Sequence, residues 1–206
     1  MNAVLKRCAV SALLLLLAGC SSSTTNSDAT PAPAPAGPPQ LVTAKAAFGP
    51  LYKGALSWAP DLVFLGLQEK DVPGFQNADG KAAMWEATFA SPAQHKYRVD
   101  TYSIVTVLPD IHKGTDGGIA LPWAGATRDA MPIDPAAFEA DSDAVYSAAA
   151  ADAADWLKKN PDKKLSSFGL GNAYQFHRPV WFVVWGDKKS GYIAYVDAVT
   201  GKVVKK

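Results

Sequence analysis

Cysteine is nearly missing from this 206-residue chain, and both copies sit at one end. Cys8 and Cys20 lie within the first twenty residues. Beyond them there is no thiol, hence no disulfide, no Cys-ligated zinc and no cysteine nucleophile. Histidine is almost as scarce. His95, His112 and His177 fall in no H-x-x-x-H or H-x-x-E-H pattern, and no G-x-S-x-G marks a serine nucleophile. The glycine-rich run at residues 114–118 (GTDGG) lacks the Lys-Ser/Thr of a P-loop and the spacing of an EF-hand, so it reads as a flexible turn. Excess charge of one sign is absent too: 20 basic residues face 19 acidic ones, with no basic stripe, which argues against nucleic acid as a partner. One long apolar run exists, residues 9–18, and it is too short to span a bilayer comfortably. These absences leave no catalytic residues, no metal ligands and no cofactor to expect. The chain reads as a protein that is not an enzyme.

What is present begins with an address. Lys6 and Arg7 form a basic n-region before residues 9–18, whose length fits a signal h-region of about 7–15 residues. The run closes on Leu17-Ala18-Gly19-Cys20. This resembles the lipobox of bacterial lipoproteins. The resemblance implies a signal peptide at residues 1–19, cleavage after Gly19, and acylation of Cys20, whose thiol carries diacylglycerol as a thioether. Each buried CH₂ contributes about 0.8 kcal/mol, so a multiply acylated cysteine holds where a single chain would not. Palmitate-type chains and a membrane partner through the Cys20 anchor follow. Ser21, not aspartate, comes next. By resemblance to enterobacterial sorting signals, that implies the cell envelope at the outer membrane, with the periplasm as the compartment concerned. Without Lys6 and Arg7 the balance is 18 basic against 19 acidic residues.

Residues 20–40 hold the lipidated cysteine and a tether, SSSTTNSDATPAPAPAGPPQ after Cys20. It has no large apolar side chain and cannot offset its own ordering entropy. Pro-Ala alternation favours extended polyproline II, a semi-rigid spacer. What remains suits one medium domain or two small ones.

In residues 141–160 the spacing predicts a helix. Asp141 or Ser142 caps it, Asp143 sits in the first turn, Lys158 and Lys159 in the last, and Pro161 stops it. Val145, Ala149, Ala153, Trp156 and Leu157 share a narrow face suited to lying on a sheet. Alternation in residues 165–176 predicts a strand weakened by Gly169 and Gly171. Residues 180–185 are apolar on both faces: Val180, Phe182 and Val184 on one, Trp181, Val183 and Trp185 on the other. A strand of that kind is central, or has a partner over its second face. A polar turn leads to a return strand at residues 192–197. The order helix, strand, strand, strand packs as an antiparallel sheet with a helix across it.

That order, with the terminal Tyr192-Ile-Ala-Tyr-Val-Asp-Ala-Val-Thr-Gly-Lys-Val-Val204, resembles a PepSY domain. Asp197, Thr200 and Gly201 match the family's D-A-x-T-G turn. The turn calls for a carboxylate that accepts backbone N–H bonds and a glycine able to take positive φ. A similar order recurs faintly upstream. Residues 43–58 read as a helix interrupted by Gly49, Pro50 and Gly54, and strands are expected at 62–67, 84–89 and 97–107. The fold class is therefore α+β: antiparallel sheets each packed by a helix, as two PepSY-like units at residues 41–108 (degenerate, lacking the turn) and 141–206. A Gly/Pro-rich connector at 109–140, with a short strand near 119–123, joins them.

Trp181, Trp185, Tyr192 and Tyr195 are the candidate partner-binding surface, with core packing as the competing reading. The resemblance implies a protein-binding module of the envelope, with inhibition or regulation of a peptidase as its finer form. The alternative is a structural or assembly lipoprotein that binds an envelope complex or a cell-wall component. The lipobox makes one direct prediction. A Cys20→Ser variant should fractionate away from membranes; unchanged membrane attachment would contradict lipid anchoring.

Overall fold

The computed structural model describes residues 39–187 and 189–204, and the Cys20 anchor and most of the tether lie outside them. All described residues belong to the unit Gly37–Lys206. Ten strands run in the order β1 (Val42–Thr43), β2 (Val63–Lys70), β3 (Lys81–Ala82), β4 (Met84–Ser91), β5 (Lys96–Ser103), β6 (Gly114–Gly117), β7 (Leu121–Pro122), β8 (Leu165–Gly171), β9 (Val180–Trp185) and β10 (Tyr192–Asp197). Helix α1 (Ala44–Trp58) follows β1; α2 (Ser142–Asp152) and α3 (Ala154–Lys159) precede β8. The fold is mixed α+β, with helices against antiparallel strands.

The two strand triplets do not make separate sheets. They join into one of eight strands, ordered β10-β9-β8-β2-β4-β5-β6, with β7 also on β5; β1 and β3 pair apart from it as a two-stranded sheet. The join is the antiparallel pairing of β2 with β8: Gly66 opposite Gly171, Leu67 opposite Leu170, Gln68 opposite Gly169. β2 and β8 thus lie at the centre, with β4, β5 and β6 outward on one side and β9 and β10 on the other. Glycines permit the join. A Cβ on Gly169 would lie 2.7 Å from the Phe182 ring and 2.8 Å from the Leu67 carbonyl oxygen.

The helices cover one face. In α1, Ala44, Ala47, Leu51 and Ala55 form a fully buried stripe at helical spacing. Thr43 caps it, its hydroxyl accepting from the Ala46 N–H at 3.4 Å. Pro50 sits on the exposed side of the helix, as does Ala46, whose carbonyl it deprives of an N–H partner. The second helix divides at Ala153, where ψ falls to −2°. The Asp152 carbonyl there accepts from the Tyr192 hydroxyl at 3.2 Å, and Trp156 comes within 5.9 Å of the Tyr192 ring.

Both helices start at the same place. The Ala44 N–H donates to the Ser142 hydroxyl at 2.8 Å, and Asp141 Oδ1 accepts from the N–H groups of both Lys45 (3.0 Å) and Ser142 (2.8 Å). One carboxylate thus serves two helix N-termini, where partial positive charge gathers. Beneath, the core spans the join. Trp85, Phe168 and Trp181 come from β4, β8 and β9, with ring centroids 5.2–6.5 Å apart, and all three are buried. Such pairs contribute about 0.5–1.5 kcal/mol beyond area burial.

The connector is more ordered than its composition suggests. The first four residues of the GTDGG run are strand β6, not a turn, because β5 has an edge to pair; the following Gly118 allows close approach, since a Cβ there would lie 2.2 Å from the Val99 carbonyl oxygen. The chain then crosses the top of the join: Ile133 N–H donates to Phe64 O at 2.7 Å and Met131 N–H to Asn172 O at 2.9 Å. The capture of Asn172 ends β8 at Gly171. The expected continuation to residue 176 is instead a 3-10 turn, Tyr174–Phe176, with His177 at φ 52°.

Candidate functional site

The strand pleat sorts the aromatic candidates. Tyr192 pairs with Trp185 and Val196 with Trp181 across β9 and β10, so the side chains of Trp181, Trp185, Tyr192 and Val196 share the helix-covered face. Trp181 and Trp185 are buried, and Tyr192 donates its hydroxyl to Asp152 Oδ2 at 2.7 Å. That bond, with some burial, pushes the Tyr192 phenol up to about 12. The four residues therefore do not make one partner surface. The two indoles are core, because α2 and the aromatic cluster cover them. Tyr195 is the member that faces away.

Tyr195 belongs to the other row, and that row makes the site. The open face of β8–β10 presents Val180, Phe182 and Val184 from β9 and Ile193 and Tyr195 from β10. The Tyr174–Phe176 turn folds over its end and puts the Phe176 ring 4.6 Å from that of Tyr195. The result is a groove of about 290 Å³, with Asp129, Asn172 and Gln175 at its margin. The Phe182 ring lies over Gly169 and Gly171, which present no side chains to it. Ile193 is 46% exposed, enough to be reached from solvent. The other half of the same face is polar. There Gln68 donates to Glu86 at 2.9 Å and Lys70 lies 3.2 Å from it.

The Asp197–Gly201 turn closes the end of β10. Asp197 Oδ1 accepts from Val199 N–H (3.0 Å), Thr200 N–H (2.8 Å) and the Thr200 hydroxyl (3.1 Å), while Oδ2 meets Arg178 Nη1 at 3.0 Å. Gly201 sits at φ 66°. Burial alone would raise the Asp197 carboxyl; the bonds from Thr200, Arg178 and Val199 outweigh it and hold it below the ordinary carboxylate value. The turn also positions the second helix. The Ala198 carbonyl accepts the N–H groups of Glu139 (3.0 Å) and Ala140 (2.7 Å), just ahead of the Asp141 cap. Asp197, Thr200 and Gly201 therefore shape and brace the scaffold beside the groove.

The histidines lie apart, in the β4–β5 turn (His95), the loop before β6 (His112) and the turn before β9 (His177). Among the described residues, no three His, Cys, Asp or Glu side chains gather as metal ligands. No helix among them is long and apolar enough to cross a membrane. What sequence reasoning left open is which face of β9 the helices cover. The signal was present: residues 180–185 are apolar on both faces, and the tryptophans drew attention to the covered one.

No family model and no curated protein matches the chain. Among solved structures, the chain is similar to a candidate lipoprotein from Clostridium difficile 630, at 9% identity and a TM-score of 0.46, covering 81% of this chain and 93% of that one. A likeness so slight carries no functional argument. The PepSY resemblance therefore rests on its own residues, Tyr192 to Val204.

The turn geometry sets a pH dependence. A depressed carboxyl contributes stability that is present above its unfolded value and is lost as pH falls through its folded value. Asp197→Ala should destabilise the protein by about 1–3 kcal/mol at neutral pH. The gap to the parent protein in chemical denaturation should shrink below the ordinary carboxylate range. A gap that persists unchanged in acid would contradict this account of the turn.

Proposed function

We propose that this protein is a lipoprotein of the bacterial cell envelope, anchored through Cys20, whose folded part binds another envelope protein without performing chemistry. The observation that carries the reading is the asymmetry of the open face. One half is a polar, salt-bridged surface and the other an apolar groove beside exposed Ile193. A groove of that size suits one or two apolar anchor side chains of a partner, the arrangement that dominates binding energy at protein interfaces. The lipobox and tether place such a module beside a membrane, on a spacer. The PepSY resemblance gives the finer reading, in which the partner is a peptidase that this module inhibits or regulates.

The test is capture from envelope extracts with the full-length lipidated protein and with Val184→Asp and Ile193→Asp variants. Both positions are solvent-accessible on the open face, so the fold should survive the change. The reading expects a partner whose recovery falls about tenfold or more with either charge. Recovery of the same proteins by parent and variants would contradict it. If the partner is a peptidase, adding the parent protein should lower its turnover, and adding either variant should not.

A further inference from the structure

The strand rows beneath the helices contain two carboxylates, and their surroundings differ sharply. Asp100, on β5, is fully buried and matched: Arg98 approaches it twice, Nε to Oδ1 at 2.7 Å and Nη2 to Oδ2 at 2.8 Å. The Trp58 indole covers that guanidinium at 4.7 Å. Glu69, on β2, pairs across with Trp85 and so shares the same helix-facing side. It has no hydrogen-bond donor and no cation paired with it among the described residues. A half-buried carboxylate without a counter-charge is costly, and proteins resolve such cases by protonation or by a bound cation.

Glu69 lines a cleft of about 660 Å³, within the usual size range of small-ligand sites. The cleft opens where the β2–β8 pairing stops at Gln68 and Gly169 and the two strands diverge. Phe75, Tyr146 and Trp185 form its aromatic walls. Its other ionisable groups are Asp71 beyond β2, Asp79 in the following loop, and Lys163 and Lys164 ahead of β8. Lys163 is already engaged, 3.2 Å from Asp187. We propose that this cleft binds a small organic cation, an ammonium on an apolar body, with Glu69 as its counter-charge and the aromatic walls around it.

The electrostatics agree. Burial, with the Asp71 charge, pushes the Glu69 carboxyl up to about 7. Burial, followed by the charges of Asp79 and Glu69, also raises the Tyr146 phenol. A cation stabilises the ionised Glu69 and so displaces its proton. Binding therefore tightens as pH rises through neutrality, and protons are released.

The experiment titrates the full-length protein with phenethylammonium, and with 2-phenylethanol as its neutral counterpart, by calorimetry in buffers of different ionisation enthalpy. The amine should bind saturably and about tenfold or more tighter than the alcohol, with proton release near neutral pH. Glu69→Gln should abolish that preference. It removes an unpaired charge, so folding should survive, and capture of a partner through the apolar groove should be unaffected. The pH dependence of the unmodified protein tests the same point without any variant. Equal affinity for amine and alcohol, binding independent of pH, or no saturable binding would overturn the proposal.

Discussion

Three residue pairs hold the architecture together: Gly66 with Gly171, Leu67 with Leu170, and Gln68 with Gly169. Through them the two halves become one eight-stranded sheet over a shared main core. The Trp85–Phe168–Trp181 cluster exists only because β4, β8 and β9 lie in the same sheet. The shared Asp141 cap exists only because both helices then start side by side. The short pairing has a second effect. Where it ends, β2 and β8 separate, and the cleft at Glu69 opens between them.

A single sheet with helices on one side leaves its other face to be managed. In the first half, Gln68, Lys70 and Glu86 do so with polar contacts. In the second half an apolar row is left, partly roofed by Phe176 and otherwise open. Polar coverage of that row would have been easy to encode on alternate positions of β9 and β10. Its absence is why the row is proposed as a docking surface.

Much of the fold was legible because its signals are local. The α2 cap at Asp141, the alanine face, the alternation in β8 and β10 and the D-A-V-T-G turn each depend on neighbours a few residues away. α1 was legible despite Pro50, since the Ala44–Ala55 stripe keeps its period. The helix break at Ala153 was not, because it depends on Tyr192 in a distant strand. Nor was the pairing of β2 with β8: strand partners about 100 residues apart leave no trace in periodicity, and Gly169 and Gly171 read as weak points when they are contact points. The same limit left the four aromatic residues unsorted between core and surface. Sequence showed that β9 is apolar on both faces, but which face the helix covers is a property of the whole sheet. The isolation of Glu69 was equally invisible, since a lack of partners is a fact of three dimensions.

Native-state hydrogen exchange tests the join most directly. If β2 and β8 fuse the halves into one cooperative unit, the slowest amides of β2–β5 and of β8–β10 will exchange through the same global opening, with the same free energy and denaturant dependence. Exchange of β8–β10 through a separate, cheaper opening, while β2–β5 stay protected, would contradict the single-sheet account.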